Sequence, residues 1–196
     1  PKDKPEMLEA RNPPKNKEMG SRDLPFGRNI LIERDDFMEN PDQEFYRLSP
    51  GSEVRLRYAY IIKCEEVIKD ENGEIIELIC SYDPETKSGV GTSTKKVKSA
   101  IHWVSDDHAI AGHVSLFETL YSDPNPDSDS PINPDSKIQM DQPAFERSLS
   151  KAEIGTRFQF ERNGYFILDE IKDEKLIFNR IVTLKDTWAK IQNRKK

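Results

Sequence analysis

Asn72-Gly73 separates two strand-like runs, residues 61–68 and 74–81, and no other feature constrains the local fold of this chain so tightly. Asn and Gly tolerate positive φ, which the tight turns between antiparallel strands require. A second such dipeptide, Asn163-Gly164, stands between residues 157–161 and 165–169, which also read as strands. Around these turns the apolar period is two. Val54, Leu56, Tyr58 and Tyr60 alternate with Arg55, Arg57 and Ala59, which predicts a strand with one buried face. Further strands are predicted at 27–33, 96–105, 113–120 and 175–184. Helices are minor, with one or two turns over 42–48 and a short C-terminal helix over 185–192. Many strands joined by turns point to an all-β barrel or sandwich.

Loops divide the pattern. Pro84, Gly89 and Gly91 break the stretch 83–94. Residues 122–131 are Ser, Asp, Pro and Asn throughout, which reads as a long surface connection between two folded parts. The first two dozen residues carry Pro1, Pro5, Pro13 and Pro14 with few large apolar side chains, as in an extended or loosely packed lead-in. With 196 residues the chain is long enough for one large domain or two small ones.

Charge decides which partners remain. The net charge is -6, which argues against a simply basic nucleic-acid binder. The distribution is uneven, however. Residues 123–141 hold five Asp against Lys137 alone, whereas 151–196 hold eleven basic and seven acidic residues. Local positive potential is sufficient for a binding face. No run approaches the length of apolar sequence that a membrane-spanning helix needs, and the opening residues do not resemble a secretory leader. Cys64 and Cys80 are too few for a disulfide framework and read as reduced, packed thiols of a cytoplasmic protein.

The common enzymatic constellations are missing. There is no phosphate-binding glycine loop and no Gly-x-Ser-x-Gly elbow. His102, His108 and His113 have neither helical nor finger spacing, so no metal site is expected. The aspartates of 123–141 lack the glycine and terminal glutamate of a calcium loop. What stands out is arginine beside aromatics. Arg47 follows Phe45 and Tyr46; Arg55 and Arg57 are expected to share one strand face. In Arg157-Phe158-Gln159-Phe160-Glu161-Arg162 the two Phe should point inward and Gln159 outward, with the Asn163-Gly164 turn directing Arg162 outward as well. Arg and Gln suit paired hydrogen bonds to base edges, and aromatics stack on unstacked bases.

At these residues the sequence resembles the C-terminal region of the glutaminyl-tRNA synthetases. The blocks are Glu18-Met19-Gly20-Ser21-Arg22, Ile32-Glu33-Arg34-Asp35-Asp36-Phe37, Val54-Arg55-Leu56-Arg57-Tyr58-Ala59-Tyr60 and Ile101-His102-Trp103-Val104-Ser105. Phe158 to Phe166 and Phe178-Asn179-Arg180, followed by 184–190, complete the series in the family's order. The glutamyl-tRNA synthetases of non-bacterial type share this architecture, as does the barrel of a ribosomal-RNA-binding protein family. The Gln-Phe-Glu-Arg-x-Gly-Tyr-Phe block favours glutamine.

The resemblance implies two antiparallel β-barrels with short helices. Residues 1–19 would be an extended lead-in, 20–38 plus 124–190 a proximal barrel, and 40–122 a distal one. It implies a class I aminoacyl-tRNA synthetase whose N-terminal catalytic domain, expected before Pro1, uses ATP with magnesium. Neither His-Ile-Gly-His nor Lys-Met-Ser-Lys-Ser occurs here, so this stretch is expected to be non-catalytic and to need no cofactor of its own. The implied partner is the anticodon stem-loop of tRNA(Gln), bound by a monomer. Gln159 and Arg162 match side chains that read the central uridine, Arg47 one that reads the third base, and Arg55 and Arg57 residues around the first. Lys15 falls where some relatives have Asn, and Glu44 and Tyr46 where some have polar or basic contacts, Tyr46 being able to stack or pack.

Overall fold

The computed structural model describes residues 4–12 and 17–184, so Lys15 and the helix expected over 185–192 lie outside the described residues. The chain divides into two compact units, one through His108 and the other from Ala109.

In the first unit, β1 (Glu6–Arg11) pairs antiparallel with β2 (Ser21–Phe26). Leu8 and Ala10 on β1 are buried and alternate with the exposed Met7, Glu9 and Arg11, which follows from the two-residue period of a pleated strand. β3 (Ile30–Ile32) pairs with β8 (Trp103–Ser105). The largest sheet of this unit contains β4 (Glu53–Leu56), β5 (Ile61–Lys69), β6 (Ile75–Asp83) and β7 (Ala100–Ile101), in the order β6-β5-β4-β7. Asn72-Gly73 does form the β5–β6 turn, with Gly73 at φ +84 and Asp70 accepting from the backbone N–H groups of Asn72 and Glu74. The core gathers Val54, Leu56, Tyr60, Ile101 and Trp103. Phe26 lies at its centre, 5.1 Å from the Tyr60 ring and edge-on to Trp103 at 5.5 Å. The buried indole N–H donates to the Arg57 carbonyl at 2.8 Å.

The second unit is a five-stranded sheet. Its strands are β9 (Ile110–Phe117), β10 (Lys137–Phe145), β11 (Arg157–Phe160), β12 (Gly164–Lys172) and β13 (Lys175–Thr183), in the order β10-β9-β13-β12-β11. The acidic stretch joins β9 to β10, which are antiparallel neighbours, so it is the loop of a long hairpin. Phe166, Leu168, Leu176 and Phe178 form the core on one face of the sheet.

The chain is mostly β with short 3-10 turns, but the expected closed barrels are not found. Both larger sheets are open: β6 and β7 end one, β10 and β11 the other. Neither is purely antiparallel, since β4 runs parallel to β7 and β13 parallel to β9. Closure requires strands long enough to stagger around the axis, and β7 has two residues. In the second unit β10 carries Pro143 at a register shift between Asp141 and Ala144. Proline has no N–H to give a further strand, which suits β10 to an edge. The stretch 42–48 forms turns rather than a helix.

Candidate nucleic-acid interface

The β11–β12 hairpin presents the first set of candidate side chains. Phe158 and Phe160 are half-buried on the core face, where Phe160 stacks on Phe166 with ring centres 4.5 Å apart and meets Phe178 edge-on at 5.1 Å. Alternation then sends Gln159 to the opposite face, where it is exposed and its amide has no partner among the described residues. The Asn163 N–H donates to the Phe160 carbonyl at 3.0 Å, closing a turn whose third residue is Arg162. Arg162 has φ +71, a left-handed conformation that costs a non-glycine residue about 1 kcal/mol or more. The reversal needs Gly164 for another reason: a Cβ there would lie 2.5 Å from the Val182 carbonyl. Gln159 and Arg162 thus stand on one hairpin.

The first unit holds the other candidates, and here the strand reading fails at one point. β4 ends at Leu56, and the Ala59 N–H returns to the Leu56 carbonyl at 3.0 Å. Tyr58 sits third in that turn with φ +63. Arg55 is therefore on a strand and Arg57 in a turn, so they do not share a strand face. Arg55 Nη1 donates to the Thr86 carbonyl at 2.7 Å, to Ser88 Oγ at 3.3 Å and to the Ala59 carbonyl at 3.5 Å. Through those bonds it braces the loop 84–93, beside a depression lined also by Lys87 and Ser93. The Arg57 and Arg22 guanidinium carbons each lie 5.6 Å from the centre of the Tyr58 ring. Arg22 is further oriented by Asn12 Oδ1, at 2.7 Å from its Nη1.

Arg47 is largely engaged in structure. Its Nη1 donates to the Asp35 carbonyl at 3.0 Å, and its Nε lies 3.5 Å from Oδ1 of the fully buried Asp36. Tyr46 is exposed, and Lys98 Nζ lies 4.5 Å above its ring. Ser99 joins two of the candidates, since its hydroxyl donates to the Tyr46 carbonyl while its own carbonyl accepts from the Arg55 N–H. Arg22, Tyr58 and Lys98 are further candidates that the structure adds to those expected from the sequence. The sequence carries signals for two of them: Arg22 closes Glu18-Met19-Gly20-Ser21-Arg22, and Lys98 ends the run Lys95-Lys96-Val97-Lys98. Among the described residues no group of three or more His, Cys, Asp or Glu could hold a metal ion. His108 Nδ1 is hydrogen-bonded with Ser105 Oγ at 3.0 Å.

Two family models match the sequence. Both are described as the anticodon-binding domain of class I tRNA synthetases (E and Q), one over residues 1–83 and the other over 100–169. The chain belongs to that family. Arg47, Arg55 and Arg57 fall in the first matched region, Gln159 and Arg162 in the second. The family reading is reinforced by individual relatives. The chain is 44% identical over 200 residues to a glutamine–tRNA ligase of Rhodopirellula baltica, covering 98% of this chain and 33% of that one. It is 48% identical over 191 residues to the Proteus mirabilis glutamine–tRNA ligase, covering 95% and 34%. With that of Clostridioides difficile the identity is 46% over 195 residues, covering 96% and 35%. The chain spans about a third of the length of these curated relatives. All three are glutamine–tRNA ligases, which supports the glutamine branch of the family over the glutamyl branch. No helix among the described residues is long and apolar enough to cross a membrane.

Proposed function

We propose that this chain grips the anticodon loop of a glutamine tRNA for an enzyme that attaches glutamine using ATP and magnesium. In this reading the catalytic domain of the same enzyme is its partner, and the setting is a cytoplasmic monomer. The chain itself carries recognition rather than chemistry. Loop bases expose their edges only when unstacked, so the reader must be a rigid surface with oriented donors and acceptors.

The observation that carries the proposal is the placement of Gln159 and Arg162 on one hairpin. Phe158 and Phe160 lock the strand beneath Gln159, and the Phe160–Asn163 bond holds Arg162 three residues further on. Gln offers a donor and an acceptor together, and Arg a fork of donors, which matches the O4, N3–H and O2 pattern of uracil.

The deciding experiment is competition between anticodon stem-loops with uridine or cytidine at the centre, for wild type and Arg162→Ala. The expected loss is about 1–3 kcal/mol of discrimination, the range for a good paired contact. Equal weakening toward both loops would make Arg162 a backbone contact and refute the assignment.

A further inference from the structure

On the outer face of the second unit, Gln159 has an aromatic neighbour. Tyr165 on β12 is directly opposite Gln159 in the β11–β12 register, and its ring belongs to an exposed residue, 41% accessible. The backbone shows how closely the two approach. Leu168 donates to the Thr156 carbonyl and accepts from the Gly155 N–H, so its peptide groups face the β11 side. Along a regular strand the same orientation recurs every second residue, at Phe166 and Gly164. Tyr165 therefore turns its own N–H and C=O toward β13. That makes Gln159 and Tyr165 a non-hydrogen-bonded pair, the kind in which opposed side chains lie nearest.

We propose that Tyr165 is the stacking platform for the base that Gln159 reads; the inference rests on the anticodon reading above. The rest of the outer face fits an RNA base and its phosphate. Val182, the β13 partner of Tyr165, is exposed and extends the apolar ledge. Arg157 lies two residues before Gln159 on the same face, exposed, and brings positive charge to the ledge. A solvent-facing Tyr, Gln and Arg on adjacent strands provide a ring to stack on, a pair of hydrogen bonds and a cation for the backbone. The Tyr165 ring is not needed by the core, which lies on the other face.

The test uses the chain with an anticodon stem-loop carrying 5-iodouridine at the central position. Long-wavelength irradiation couples that base to an aromatic ring stacked on it. The expected adduct maps to Tyr165. Tyr165→Ala and the more strand-compatible Tyr165→Thr should abolish it and weaken binding by roughly 5- to 100-fold, while Tyr165→Phe stays within about twofold of wild type, because stacking needs the ring and not the hydroxyl. The preference for uridine over cytidine should survive Tyr165→Thr, since stacking is tolerant of sequence, and should fall in Gln159→Ala. An adduct elsewhere, or wild-type affinity in Tyr165→Thr while Gln159→Ala loses discrimination, overturns the stacking role and leaves the anticodon reading in place. If neither Gln159 nor Arg162 substitutions alter discrimination, the anticodon reading itself fails. A wild-type dimer that dissolves in Tyr165→Thr would assign the ledge to a second copy and also overturn the proposal.

Discussion

Nε of Arg47 lies 3.5 Å from Oδ1 of Asp36, a side chain with no solvent exposure, while the arginine keeps 15% of its own. A candidate base reader thus also neutralises a buried acid. Removing one partner of such a pair leaves an uncompensated charge, which costs about 3–5 kcal/mol when burial is complete. Arg47→Ala should therefore lower the stability of the first unit by about 2–4 kcal/mol, the lower bound allowing for the exposed part of the arginine. Urea denaturation followed by the fluorescence of buried Trp103 gives the measurement. A midpoint equal to wild type would show that Arg47 is dispensable to the fold, and any loss of RNA binding could then be ascribed to recognition alone.

The left-handed turn at Arg162 separates folding from reading. Glycine accepts φ +71 without steric cost, whereas alanine keeps the strain and loses the guanidinium. Arg162→Gly is expected to be about 1 kcal/mol more stable than Arg162→Ala, although both lose discrimination at the central base. Thermal denaturation of the two variants settles the order. Greater stability of the alanine variant would be incompatible with the turn geometry described.

Gly91 governs how Arg55 is held. A Cβ there would lie 2.2 Å from the Glu85 carbonyl and 2.7 Å from the Lys87 backbone. Those atoms belong to the same loop that accepts the Arg55 hydrogen bonds at Thr86 and Ser88. Gly91→Ala should destabilise the first unit by about 1–3 kcal/mol, the usual cost of forcing an added carbon into packed structure. Hydrogen exchange should quicken across residues 85–93 and at the Ile61 amide, which donates to Thr86 Oγ1. Unchanged exchange in that loop would contradict the account.

Stability in alkali should be limited by the cross-strand pair Cys64 and Cys80. Cys64 is buried and Cys80 lies exposed on the neighbouring strand; partial loss of hydration at its thiol, then the neighbouring Cys64 thiol, pushes Cys80 up to about 12, and burial raises Cys64 as well. A group with a raised folded pKa favours the protonated folded form. Below the ordinary thiol range both states hold the proton and stability is intact; between about 9 and 12 the unfolded chain ionises first and stability falls. The urea midpoint of wild type should decline over that interval, and that of Cys80→Ser less steeply. Parallel declines for the two proteins would exclude the thiols as the cause.

The hairpin bearing Gln159 was legible because alternation and the Asn163-Gly164 break specify it locally, although the left-handed residue of the turn is Arg162 and Gly164 already begins β12. The turn at Tyr58 was not, for the converse reason: Val54, Leu56, Tyr58 and Tyr60 keep a two-residue rhythm across a reversal that no glycine or asparagine marks. Asp173 and Glu174 conceal another such reversal, both taking positive φ between β12 and β13. β1 is faint in the sequence because Leu8 and Ala10 are its only buried residues. The open sheets have a different origin. Whether edges meet depends on long-range register, and Pro143 constrains it only once β10 is known to be an edge. The dual roles of Arg47 and Arg55 are likewise tertiary: Asp36 lies eleven residues from Arg47 and Thr86 lies thirty-one from Arg55.

The position of β13 also bears on how the chain is made. It is the last described strand in sequence, yet it lies in the middle of its sheet, between β9 and β12. During synthesis the β9–β10 and β11–β12 hairpins can form as soon as they emerge, but each then exposes an unpaired edge to the surrounding medium. Only when residues through Thr183 have left the ribosome can β13 enter and join them. A chain released before that point would be two hairpins without a common sheet, and its exposed edges would invite association with other nascent chains.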